Sequence, residues 1–416
     1  MIHRYRLIAI LFVVMTAVWA TAVFTTTLAT TAAIPEPPGC PDDTTITPTI
    51  PICHIYLPIL YTIPTPVPPL PPPLLPPTPT VAISPTNWIS IQADLQAQGL
   101  EMSFNKIGFH TGYGGNTTGL HQMLANLDAA GVPFFLKSVD DASHLFYAQQ
   151  LAQQSGVPHI LVWRRTGNEY DVPIYSLPPQ DAAQVHWQLH MDAFPPELDP
   201  SLVWIETVNE VDKNRSEWLA EFAMATAQLA MNDGFKWAAF SWSSGEPEPE
   251  HWQGPKMLQF LQLAADHPDE LAIAVHEYSF VTDTISVGYP WLVGRFQKLF
   301  RAVDEHGIGR PTVLITEWGW AYQDVPTPAE AMADIAWAAW LYAAYPQVKG
   351  AAIWYLGCCF GGVDDQTQQL IAPVGEYSRH NYFIITPGIG QIDENLFVIH
   401  PPTAVPARTD WFNFEN

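Results

Sequence analysis

Residues 202–242 read LVWIETVNEVDKNRSEWLAEFAMATAQLAMNDGFKWAAFSW. The stretch opens on an apolar run, 202–210, rich in the β-branched and aromatic residues of a strand. Trp218, Leu219, Phe222, Ala225 and Leu229 then recur at three- and four-residue steps, which predicts a helix over 215–233. Gly234 supplies its stop. A second apolar run, 236–242, follows at once. Strand, helix and strand in that order make a βα unit, and strands joined this way lie parallel with a right-handed crossover.

The alternation continues in both directions. Eight candidate strands fall at 104–110, 133–138, 159–164, 202–210, 236–242, 271–278, 312–318 and 350–356, with seven helical patterns between them. One of those runs from Pro328 to Tyr345, with Pro328 suited to a first helical turn. Gly131, Gly156 and Gly307 punctuate helix ends. Eight parallel units imply an α/β fold closed into a (β/α)8 TIM barrel. The competitor is a doubly wound open sheet, which more often opens on a Gly-rich phosphate turn. HTGYGGNTTG at 110–119 lacks the GxGxxG spacing and reads as a loop over the cleft. After the last strand, Gly361 and Gly362 lead into a polar stretch with no clear amphipathic helix, then an irregular tail over 372–416.

The barrel is preceded by other material. Arg4 and Arg6 stand before an 18-residue apolar run, Leu7 to Phe24, and small residues follow at Ala29 to Ala33. Residues 1–33 therefore read as a signal peptide or an uncleaved membrane anchor. Either way the charged end stays inside, so the expected location is secreted or extracellular, including display at the cell surface. Residues 34–87 hold 18 of the 40 prolines and read as a semi-rigid stalk. An apolar island, His54 to Ile63, interrupts it. Residues 88–416 are left for the barrel and its tail. Cys40 and Cys53 would close a short loop in the stalk. Cys358 and Cys359 are adjacent, and either form a vicinal disulfide or are two small buried residues.

The net charge is −24, from 17 Lys and Arg against 41 Asp and Glu. That excludes the basic footprint of a nucleic-acid binder and leaves neutral substrates open. No CxxC or HxH pairing points to a metal, and no cofactor is expected.

Barrel enzymes carry their chemistry at the C-terminal ends of the strands. Those ends supply His110, Lys137, Arg164 with Arg165, Asn209-Glu210, Ser241 with Trp242, His276-Glu277-Tyr278, Glu317-Trp318-Gly319-Trp320 and Trp354-Tyr355. Glu210 and Glu317 lie 107 residues apart, three βα units. Three strands of eight on a barrel of roughly 7 Å radius put their Cα atoms about 13 Å apart, a gap two inward glutamates can close. Glu206 is in phase with Glu210 but deeper, and reads as a buried carboxylate paired with a basic residue. Glu277, out of phase with its neighbours, faces away from the cleft. Glu246, Glu248 and Glu250 are most simply solvated.

VWIETVNEVD, VHEYS, LITEWGW and IWYLG together resemble the clan A glycoside hydrolases, over roughly residues 100–360. The resemblance implies a retaining barrel glycosidase with Glu210 as acid/base and Glu317 as nucleophile. It implies that Asn209 binds the sugar 2-hydroxyl, Tyr278 orients the nucleophile, His276 lines the cleft and Trp354 stacks under the sugar. His110, Arg164 and Trp318 complete the expected substrate-binding set, although Trp318 and Trp320 fit the core as well as a cleft wall. The chain departs from the pattern at Lys137, where relatives carry Arg, at Arg164-Arg165, where they show His, and at Val211, where Pro is common. On this reading the acid needs a raised pKa, from apolar surroundings or a neighbouring carboxylate. The nucleophile must stay ionised.

The expected partner is carbohydrate, with the membrane touched only through the N-terminal segment and the chain acting as a monomer. The competing reading is a non-catalytic carbohydrate-binding barrel, which would keep the aromatic wall without needing both glutamates. A metal-dependent barrel hydrolase would want an HxH pair, which is missing.

Overall fold

The structure, a computed structural model, describes residues 88–280, 284–385 and 405–406. The N-terminal segment, the Pro-rich stretch with Cys40, Cys53 and the 54–63 island, and most of the tail lie outside the described residues.

Eight parallel strands close into one barrel. They are β2 (Ile107–Thr111), β3 (Phe135–Val139), β4 (Ile160–Arg164), β5 (Val203–Glu206), β6 (Lys236–Trp242), β7 (Leu271–Tyr278), β8 (Thr312–Gly319) and β9 (Val348–Ile353). Closure comes from β9 pairing with β2 through Ile107↔Ala351 and Phe109↔Ile353. Helices between the strands form the outer layer, among them α6 (Ser216–Asn232) and α9 (Pro328–Ala343). The α9 start carries a capping box, Thr327 with Glu330, ahead of Pro328. Lys106 closes its far end by donating to the carbonyls of Tyr342 and Tyr345 at 2.9 and 2.7 Å.

Before the barrel come helix α1 (Trp88–Ala97) and strand β1 (Glu101–Phe104). β1 pairs antiparallel with β10 (Tyr382–Ile385), which pairs with β11 (Val405–Pro406). This small sheet sits at the N-terminal end of the barrel strands, because Phe104 is three residues from the start of β2. It was not expected from the sequence. The expectation of no helix after the last strand is also corrected, by α10 (Val363–Gln368) and α11 (Ile371–His380). Ile371, Val374, Tyr377 and Ser378 give α11 a buried face at helical spacing, but Pro373 and Gly375 within one turn mask that signal. Pro373 is tolerated because it falls in the first turn.

The fourth barrel strand is shorter than 202–210. β5 ends at Glu206, and the next residues leave the ladder. Asn209 N donates to Asp171 O and Glu210 N donates to Ser241 O, at 2.8 and 2.9 Å. Glu210 itself has φ 45°. A local turn, not strand alternation, aims its carboxylate.

The barrel interior changes character with height. Its lower half is apolar, with Phe135, Val162, Trp204, Ala238, Ala272, Leu314 and Ala352 in one buried cluster. Phe135 fits because Gly350 faces it, where a Cβ would sit 1.9 Å from its ring. Two residues further along their strands stand Lys137, Arg164 and Glu206, all buried. Large and small residues therefore share the lower layers, and charge begins where the strands end.

Glu277 points the other way, into the helix layer. Its carboxylate accepts from Gly294 N, Phe296 N and Tyr342 OH, at 2.8, 3.4 and 2.7 Å, and so satisfies the start of helix α8 (Phe296–Glu305). Burial pushes its pKa up to about 7, despite those bonds. A carboxyl raised on folding contributes stability that is present below its unfolded pKa and is lost as pH rises through about 7. Thermal melts of wild type and Glu277→Gln should therefore converge in one direction. The variant loses least relative to wild type at pH 8 and most near pH 5, and a gap independent of pH would contradict this.

Candidate active site

Five strand ends build one cluster of charge at the C-terminal mouth of the barrel. Lys137 comes from β3, Arg164 from β4, Glu206 from β5, His276 from β7 and Glu317 from β8. Irregular backbone sets the register. β6 carries a bulge at Phe240 and Ser241, both with positive φ, and β7 and β8 shift register so that His276 pairs beside Glu317.

Glu206 is completely buried. Lys137 Nζ lies 2.7 Å from its Oε2, while the Ser241 and Thr316 hydroxyls donate to Oε1. Burial works to raise its pKa, but Lys137 and Arg164 more than offset this and hold the carboxyl below its ordinary value. Glu317 lies one step nearer the opening. Tyr278 OH donates to its Oε2 at 2.7 Å, and Lys137 Nζ and Arg164 Nη2 lie 3.5 and 3.8 Å from its Oε1. Burial again opposes ionisation. The surrounding His276, Lys137 and Arg164 win, so Glu317 sits well below the usual carboxylate range. Tyr278 is driven well up by burial and by Glu317, and remains a donor.

Glu210 stands in a different environment. Its side chain is 47% exposed, against 11% for Glu317. Its Oε1 accepts from Ser243 Oγ at 2.9 Å and lies 3.3 Å from His276 Nδ1. The same His276 nitrogen lies 3.7 Å from Glu317 Oε2. Those two contacts laid end to end bound the gap between the carboxylates. The bound admits the roughly 5–5.5 Å of a retaining pair and falls short of most of the roughly 6.5–9.5 Å that an inverting pair uses.

The expected raising of the Glu210 pKa is not found. The bond to His276 is the largest influence and lowers it, outweighing burial, with Ser243 acting in the same direction. In the open cleft the side chain keeps one flank in water, so the apolar surroundings that would raise it are missing.

The remaining expected residues divide. His110 is buried beside the cluster, 4.9 Å from the Tyr355 ring, and burial with Lys137 nearby drives its pKa well down, leaving it neutral. Asn209 is half-buried, with Oδ1 unpartnered among the described residues. Trp354 is half-buried between Tyr322 and Tyr355, edge-on to Tyr278. Arg164 is buried behind Glu317, so it acts on the carboxylate more than on the cleft surface. Trp318 is corrected. It alternates outward from Glu317 and is fully buried against Trp320 in the core between barrel and helices. Glu246 and Glu248 are not simply solvated, because Lys213 Nζ lies 2.9 and 3.3 Å from them.

Sequence reasoning missed Ser243, which bonds Glu210, and the paired roles of Ser241 and Thr316 under Glu206. The only signal for the serines was their place at the end of the fifth candidate strand. Cys358 and Cys359 are joined as a disulfide in the loop after β9, where Cys358 N donates to Tyr113 O of the loop after β2. Among the described residues, no three His, Cys, Asp or Glu side chains stand together as a metal site. No helix among them is long and apolar enough to cross a membrane.

No family model matches the sequence, and no curated protein matches it. Solved structures match it distantly in fold. A triple variant of an endo-β-1,4-glucanase from Xanthomonas axonopodis pv. citri is 12% identical, with a TM-score of 0.40, over 66% of this chain and 99% of that one. A tri-modular endo-β-1,4-glucanase from Bacillus licheniformis is 11% identical, with a TM-score of 0.34, over 68% and 62%. A putative fructose-1,6-bisphosphate aldolase from Coccidioides immitis is 10% identical, with a TM-score of 0.31, over 73% and 97%. Likenesses this distant do not distinguish one barrel chemistry from another.

The buried cluster makes a stability prediction. Lys137→Met leaves Glu206 in the interior without its closest cation and should cost about 3–5 kcal/mol. A Lys137→Met, Glu206→Met double variant removes both ends of the pair and should recover more than half of that loss. Urea unfolding measures both, and a single variant as stable as wild type would refute the pairing as the anchor of the cluster.

Proposed function

We propose that this chain is a retaining glycoside hydrolase that cleaves β-glycosidic bonds outside the membrane, with Glu317 as nucleophile and Glu210 as acid/base. One observation carries the reading. Two carboxylates share a single histidine at the open end of a barrel, and their environments are opposite. One is buried and held ionised by cations and a tyrosine. The other is exposed and free to exchange protons. The apolar run at 7–24 and the Pro-rich stretch at 34–87 support export.

The chemistry follows from those environments. Glu317 attacks the anomeric carbon while the bond to the leaving oxygen breaks, and Glu210 delivers its proton to that oxygen. The sugar is then an ester of Glu317, whose charge is gone. Water enters on the same side, loses a proton to Glu210 and attacks the anomeric carbon, and Glu317 leaves as carboxylate. Tyr278, Lys137 and Arg164 favour that departure, because each interacts better with the anion. The Asn209 side chain, with an unpartnered oxygen beside Glu210, suits a sugar hydroxyl.

Assays on aryl β-glycosides and β-linked polysaccharides test the assignment. Glu210→Ala should lower kcat about 10²–10⁴-fold, and Glu317→Ala at least as far. Azide should restore turnover to Glu317→Ala with a product of inverted configuration. Variants as active as wild type on a substrate it cleaves would dismiss the pair. Binding of sugars without cleavage would favour the carbohydrate-binding barrel.

The lowered Glu210 pKa makes a second prediction. The acid must carry its proton when substrate arrives, so kcat/KM should be highest in acid and fall as pH rises past the Glu210 pKa. His276→Ala removes the bond chiefly responsible and should move that falling limb to higher pH. The limb of kcat should lie above that of kcat/KM, because bound sugar takes water from Glu210. A pH series on wild type and His276→Ala decides it, and a limb unmoved by the substitution would count against this role.

A further inference from the structure

Eight large apolar side chains stand exposed among the described residues. Seven lie in the segments that follow barrel strands, on the face that holds Glu210 and Glu317, and only Val185 lies on an α-helix. The exposed aromatics Tyr113, Phe280, Trp291 and Tyr322 are all among the seven. Apolar surface concentrated on one functional face marks a binding surface.

Two of these aromatics continue the cleft. Tyr322 stacks on Trp354, with centroids 5.6 Å apart and planes 28° from parallel. Phe280 stacks on Tyr278, at 5.7 Å and 22°. Tyr278 and Trp354 themselves meet at 6.4 Å. Four rings thus form one unbroken row, Tyr322, Trp354, Tyr278 and Phe280. Its middle touches Glu317 through the Tyr278 hydroxyl, and its two ends are open to solvent. A site for one terminal sugar would need rings at the carboxylates and a closed end. This row continues beyond Tyr278 to Phe280 and beyond Trp354 to Tyr322.

Charge narrows the occupant. Arg165, Lys213 and Arg215 stand on loops of this face, and each is held by a carboxylate, Asp140, Glu246 and Asp212 respectively. The chain as a whole carries −24. An anionic polymer would meet repulsion and paired cations. A neutral polysaccharide offers apolar sugar faces to the rings and hydroxyls to the polar rim.

We propose that the substrate is an uncharged β-linked polysaccharide, bound across Tyr322, Trp354, Tyr278 and Phe280 and cut at internal bonds. This rests on the glycosidase reading and assigns Tyr322 and Phe280 as outer sugar-binding positions on either side of Glu317.

The test uses neutral β-linked oligosaccharides of two to six units, the matching polysaccharide, and Tyr322→Ala and Phe280→Ala beside wild type. The expected result is that kcat/KM rises at least 100-fold from dimer to hexamer, and that polymer viscosity falls before many reducing ends appear. Each variant should lower the hexamer-to-dimer ratio of kcat/KM about tenfold. Equal kcat/KM at every length, or release of single units from one end, overturns the proposal and leaves the glycosidase standing. Affinity electrophoresis of Glu210→Gln in polysaccharide separates the other failure. Retardation lost in a Tyr322→Ala, Glu210→Gln double variant, with no sugar cleaved by wild type, overturns the glycosidase and keeps the row as a binding surface. No cleavage and no retardation overturns both.

Discussion

Lys137 sits between Glu206 and Glu317 with no access to water, on a strand whose preceding inward residue is Phe135. Below that level the barrel is closed with hydrocarbon. Two carboxylates immediately above it would take up protons if left alone, since burial disfavours their charged forms. Lys137 and Arg164 reverse the outcome for Glu206, and His276 joins them, as the largest influence against burial, at Glu317. The arrangement is mutual. Lys137 is itself desolvated, which lowers its pKa from the ordinary value, and the two glutamates oppose that fall. Glu206 therefore supports a charge balance that its neighbour uses. Tyr278, the β6 bulge and the register shift beside His276 are fitted around that balance.

Glu210 escapes the same constraint because it lies outside the ladder. β5 ends at Glu206, and a turn with φ 45° lifts Glu210 to the rim. One segment of five residues, Glu206 to Glu210, thus holds both a buried counter-ion and a solvent-facing carboxylate. The difference between the two comes from four residues of height, not from any difference in side-chain chemistry.

Most of the fold was legible in the sequence. All eight barrel strands form within a few residues of the positions that alternation suggests, because a strand buried on both faces must be a short apolar run. The helix over 215–233 was equally plain from its periodic face. The closing pieces were not. β1 and β10 are four residues each and pair only with segments far away in sequence, so no local pattern marks them. Pro373 and Gly375 hid α11. In the site, Glu317 and Tyr278 were readable from strand phase and order. For Glu210 the phase argument placed the side chain at the mouth through a strand that is not there. Trp318 failed the opposite way, since phase beside Glu317 should have sent it outward. Ser243 was marked only by its place at the end of the fifth candidate strand, and Tyr322 and Phe280 by nothing, because loop positions are fixed by turns and contacts that periodicity does not encode.

The small sheet of β1, β10 and β11 has a practical meaning for attachment. It places the entry to the described domain, through α1 and β1, at the end of the barrel strands remote from Glu210 and Glu317. A load applied along the chain from this side reaches α1, and then β1 with its pairing to β10, before it reaches the strands that carry the carboxylates.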